Sequence, residues 1–121
     1  MPLHISREEI SQLVDTFYAR VREDEVIGPV FNENVKSWPA HLSLLKDFWA
    51  SILLSEGSYK GNPLVAHFNL PMKERFFVRW LQLFGETAQD IFPEYEAELI
   101  LGKARNIAGN MRRVFAAQNA A

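Results

Sequence analysis

Apolar residues recur along this chain at the three-and-four spacing of helix faces, and nowhere do they alternate as a strand would. Ile10, Leu13, Val14, Phe17, Tyr18 and Val21 form a first stripe, opened by a capping-box pattern at Ser6-Arg7-Glu8-Glu9. Gly28-Pro29 breaks it, which leaves Val30-Phe31 to a connecting turn. A second helix is predicted from near Ser37, with Pro39 in its first turn and Trp38, His41 or Leu42, Leu45, Phe48, Trp49 and Ile52 facing inward. The stretch from Ser55 to Gly61 reads as loop. Asn62 and Pro63 then suit a helix start, and Pro71 a stop, predicting a helix of about two turns around His67. Phe76, Phe77, Trp80, Leu81 and Phe84 mark another helix, ending near Thr87 or Asp90. Pro93 opens the last, with Leu99, Ile100, Ile107, Met111, Val114 and Phe115 along its buried side. The fold class is all-α.

Composition narrows the chemistry. A chain of 121 residues, 48% of them hydrophobic, suits one globular domain spanning 1–121. A net charge of −2 supplies no basic field for nucleic acid or anionic lipid. The absence of Cys excludes disulfides, thiolate chemistry and Cys-based zinc or iron–sulfur sites. No stretch approaches the roughly 18 apolar residues of a membrane span, and Met1 to Ser6 lacks a signal-peptide pattern. These features lead us to expect a cytoplasmic protein.

Three polar-tipped side chains fall on stripes that should face the core: Tyr18, His41 and Trp80. Each wants a hydrogen-bond partner, since an unsatisfied buried group costs about 1–3 kcal/mol. That partner could be protein, water or ligand. Taken singly, each residue is most simply core packing. His67 differs in its mount: a short helix, unstable without tertiary support, carries one imidazole among Leu64, Phe68 and Leu70. With the other three it makes four groups on four predicted helices, the way a site between helices is assembled.

The residue strings themselves go further. Gly28-Pro29-Val30-Phe31-Asn32, Trp38-Pro39-Ala40-His41 with Phe48-Trp49, Pro63 to Pro71, and Phe76 to Phe84 stand in this order. Together, from about Ser6 to Phe115, they resemble the group III truncated haemoglobins, bacterial globins that pack helices two over two around a haem. The double-glycine motifs of other truncated globin groups are missing, as in this group.

The resemblance implies haem b (iron protoporphyrin IX) as cofactor, with His67 as proximal iron ligand. It implies Tyr18 and Trp80 as distal hydrogen-bond donors, and His41 as a distal histidine that can move and gate the pocket. Phe31 would wedge against the haem, and Leu45 and Phe48 would line its distal side; proximity in sequence offers Tyr59, Arg75 and Arg79 as propionate partners. Iron held by one imidazole keeps a sixth position for O₂, NO or CO. The implied function is reversible binding of these gases for oxygen or NO handling, with NO dioxygenase or peroxidase-like chemistry as enzymatic options. The domain's length leaves no room for a reductase, so turnover would need an external one. A monomer or weak dimer is expected. The alternative from the residues alone is a haem-free helical binding or signalling domain. Non-haem iron and zinc motifs do not occur.

Overall fold

The computed structural model of the chain describes residues 5–54 and 73–119, with side chains described as far as residue 113. The predicted loop and short helix, with Tyr59 and His67, lie outside the described residues. So do the side chains of Val114 and Phe115. Five helices and no strand occupy what is described.

Helix α1, Arg7–Glu23, begins at the predicted capping box. The Glu9 amide donates to Ser6 Oγ at 3.1 Å, and the Ser6 amide donates to Glu9 Oε1 at 2.9 Å. Glu8 and Glu9 in the first turn and Arg20 and Arg22 in the last both complement the helix dipole. All six residues of the predicted stripe are buried. The helix ends at Asp24, whose extended backbone cannot continue it.

Val30 and Phe31 do not lie in a turn. Gly28–Asn34 forms α2, with Pro29 in its first turn. A proline that reads as a helix breaker is also preorganised to start a helix, because its missing N–H would have no intrahelical partner there. Gly28 is required for a different reason. A Cβ on it would lie 3.0 Å from the carbonyl oxygens of both Val21 and Arg22, so α2 starts almost in contact with the end of α1.

Helix α3, Trp38–Leu54, carries Pro39 in its first turn and buries Leu45, Phe48, Trp49, Ala50 and Leu53. Trp38 and Ile52 are only partly buried. Helix α4, Glu74–Ile91, is the most sharply two-faced, burying Phe76, Phe77, Trp80, Leu83, Phe84 and Ala88. Helix α5, Glu94–Asn119, follows Pro93 as expected. Its seam differs from the expected one. Leu99 is 38% exposed, while Ala97, Ile100, Ala104, Ala108 and Met111 are buried. Small side chains let α5 approach α4 closely, and a close, narrow seam leaves Leu99 outside it.

Helix α1 packs on α3 and on α4, α4 packs on α5, and α2 rests on α1. This is the two-over-two arrangement, α1 and α3 over α4 and α5. Arg7–Asp47 and Lys46–Asp15 bridge α1 and α3 at the surface, where such pairs contribute little. Aromatic burial dominates: each of Phe17, Phe31 and Phe84 is at most 1% exposed and stabilises by about 1.5–3 kcal/mol. No described helix is long and apolar enough to cross a membrane.

Candidate functional site

Neighbouring positions on α1 send Phe17 and Tyr18 to two sides of one aromatic cluster. Tyr18 is 2% exposed. Its ring lies perpendicular to that of His41, with centroids 5.5 Å apart, and 6.0 Å from both Trp38 and Phe31. Phe17 meets Trp80 edge-on at 5.4 Å and Phe84 at 5.1 Å. Trp80 in turn stacks on Phe84, and Phe84 on Trp49. Leu45 and Phe48, one turn apart on α3, are both buried. His41 is half-buried at the rim, edge-on to Trp38 at 5.6 Å. The structure thus gathers Tyr18, Phe31 and His41 from three helices, with Trp80 adjoining from a fourth.

Two polar groups stand out in this apolar setting, Tyr18 and Trp80. Burial pushes the Tyr18 phenol far above its ordinary pKa, and the nearby Trp80 indole offsets part of that rise. Tyr18 therefore keeps its proton and remains a donor. The indole contact falls short of a hydrogen bond. Trp80 Nε1 is buried, in a residue only 4% exposed, and has no partner among the described residues. A buried donor left so costs about 1–3 kcal/mol, which is the mark of a group awaiting an acceptor from elsewhere.

No family model matches the chain. It is 36% identical over 115 residues to the group 3 truncated hemoglobin ctb of Campylobacter jejuni, covering 91% of each chain. Its structure matches the crystal structure of group III truncated hemoglobin from Campylobacter jejuni with a TM-score of 0.83. That match has 37% identity and covers 94% of both chains. The chain belongs to the group 3 truncated haemoglobins.

As a truncated haemoglobin it is a haem-binding globin, and the described residues fit that cofactor. A flat macrocycle needs broad apolar walls, which the aromatic cluster supplies, and the unpaired Trp80 N–H is a donor free for an acceptor brought from outside the described residues. Of the propionate candidates, Tyr59 lies outside the described residues. The Arg75 guanidinium sits over the Phe76 ring at 4.8 Å. Arg79 is engaged with Asp24, its Nε and Nη2 lying 2.8 and 2.7 Å from Asp24 Oδ1.

Sequence reasoning missed two features of this truncated haemoglobin. One is the Arg22 guanidinium over the Trp38 ring, 4.7 Å from its centroid, which steadies the start of α3 beside His41. The other is Asp24 itself. Its Oδ2 accepts from the amides of Val26 and Ile27 at 3.0 Å each while Oδ1 faces Arg79. An Asp just past a helix end, before a helix start, is a signal for such a turn. Nothing local points to its arginine.

Proposed function

We propose that this truncated haemoglobin binds haem b through His67 and reversibly binds O₂, NO and CO, with Tyr18 and Trp80 as hydrogen-bond donors to the bound gas. The observation that carries the reading is the pairing of a buried, protonated Tyr18 with a buried, unpartnered Trp80 Nε1 in an otherwise apolar cluster. When bound, haem supplies an iron whose open position takes a diatomic ligand.

The chain's own residues do the rest. The neutral imidazole of His67 holds the metal. Tyr18 and Trp80 present two N–H or O–H dipoles already oriented by helix packing, so no reorganisation is needed when negative charge collects on a ligand. Phe31, Leu45 and Phe48 exclude water from the same space, which strengthens both hydrogen bonds. His41, half-buried at the rim, gates admission. Slow ligand release follows from two donors in a dry pocket, and it suits chemistry on the bound ligand better than delivery. Oxygen or NO handling in the cytoplasm is the role this supports, with peroxidase-like chemistry second. Repeated turnover would draw electrons from an external reductase, and the protein would act as a monomer or weak dimer. With Arg79 already charge-paired, Arg75 and Tyr59 are the better propionate partners.

The test is the absorption spectrum of the purified protein, ferric, reduced, and then exposed to CO. A Soret band that shifts with CO is expected. No haem band, even after reconstitution with hemin, would overturn the reading. His67→Ala should lose stable haem retention or hold haem only with added imidazole.

A further inference from the structure

Tyr18 and Trp80 stand on different helices, so their separation is set by how α1 and α4 are held together. Among the described residues, two polar ties join these helices. One is at the surface: Arg20 donates to Thr87 Oγ1 at 3.1 Å and to Asp90 Oδ2 at 2.8 Å, with both charged side chains more than a third exposed. The other is Asp24–Arg79, and it differs at the acid, since Arg79 is 34% exposed, much as Arg20 is. The Asp24 side chain is only 6% exposed. It accepts from the Val26 and Ile27 amides and from Arg79, so one carboxylate ties the end of α1, the start of α2 and the second turn of α4. Each of those elements carries a residue of the pocket. Tyr18 precedes Asp24 on α1, Phe31 follows Ile27 on α2, and Trp80 is the next residue after Arg79.

We propose that the Asp24–Arg79 pair positions the distal donors, holding Trp80 near the Tyr18 hydroxyl yet short of a hydrogen bond to it, so that both remain available to a bound ligand. This rests on the distal reading of Tyr18 and Trp80 given above. The physical reason is competition. Two buried donors side by side, one of them a hydroxyl that can also accept, satisfy each other if their helices slide together. A small slide of α4 would spend the Trp80 N–H on Tyr18. A buried carboxylate gripping a guanidinium and two amides resists such a slide far better than a solvated ion pair does. Arg79 and Asp24 are positioning residues and touch no ligand.

The experiment compares the CO-bound holoprotein in wild type, Asp24→Asn, Arg79→Gln, Arg79→Lys and Arg20→Gln, with Tyr18→Phe as reference. The readouts are the C–O stretching band and the amide exchange of Val26 and Ile27. Asp24→Asn and Arg79→Gln should speed that exchange and shift the band toward its Tyr18→Phe position. Arg20→Gln should leave it at the wild-type position. Arg79→Lys, which keeps the charge but loses the forked donors, should give a smaller shift of the same sign, and it serves if Asp24→Asn does not fold. The proposal is overturned if exchange rises while the band stays put, or if Arg20→Gln shifts it equally. If Tyr18→Phe itself leaves the band unmoved, the distal reading fails, and this proposal with it.

Discussion

Removing one oxygen atom tests the proposed distal site most directly. Tyr18→Phe keeps the ring, and with it the contacts to His41, Trp38 and Phe31. The fold should lose little, under about 1 kcal/mol, because no cavity opens and no charge is stranded. The ligand should lose a donor in a site where water cannot replace it, since Tyr18 is only 2% exposed. A hydrogen bond to a partly charged acceptor contributes about 1.5–3 kcal/mol. At about 1.4 kcal/mol per factor of ten, the O₂ off-rate should rise roughly 10- to 100-fold. Stopped-flow replacement of O₂ by CO measures it, with the melting temperature as a check on folding. An off-rate within twofold of wild type, with normal melting, would refute the reasoning and leave Trp80 or water as the donor. The wild-type rate has a pH signature as well. Burial raises the phenol's pKa, so the off-rate should stay flat through the ordinary tyrosine range near 10. A rise centred there would mean a solvated hydroxyl.

The remaining expectations concern access and stability. His41→Ala should change the ligand association rate more than the dissociation rate in flash photolysis, and unchanged association would remove the gate. Gly28→Ala puts a methyl 3.0 Å from two backbone carbonyl oxygens that cannot swing aside, so it should cost about 1–3 kcal/mol and lower the melting temperature by several degrees. Asp24 is a pH test. Burial alone would raise its pKa, but the Arg79 hydrogen bond and the Ile27 and Val26 amides outweigh it and hold the carboxyl below its usual range. A depressed carboxylate contributes stability that is present above its unfolded pKa near 4 and lost as pH falls below it. Asp24→Asn should therefore melt lower at neutral pH and show a flatter acid limb than wild type, as thermal melts from about pH 6 down to pH 2 would record.

Much of this molecule is legible along the chain because its signals are short-ranged. The capping box at Ser6 and Glu9, the stripe from Ile10 to Val21 and the helix start at Pro93 each depend on residues within a turn or two. So does the class of every long helix, and the strings from Gly28 to Phe84 point to the family that the relatives establish. The mount of His67 is read from sequence alone, since it lies outside the described residues. Local signals failed where one pattern has two meanings. Gly28-Pro29 reads as a break after α1 and in fact begins α2, and only the close approach of the two helices decides between turn and helix. Alanine fits buried and exposed faces alike, so Ala97, Ala104 and Ala108 became a seam only once α4 lay against them. Periodicity placed Tyr18 and Trp80 inside, yet could not say that they meet. Asp24 and Arg79 are 55 residues apart, and no short-range preference brings such a pair together. The sequence by itself determined that these segments are helices and, in α1 and α4, which face is buried, because large apolar side chains declare a burial preference within their own helix. The tertiary structure decided which buried polar groups find partners, because that depends on where separate helices come to rest against one another.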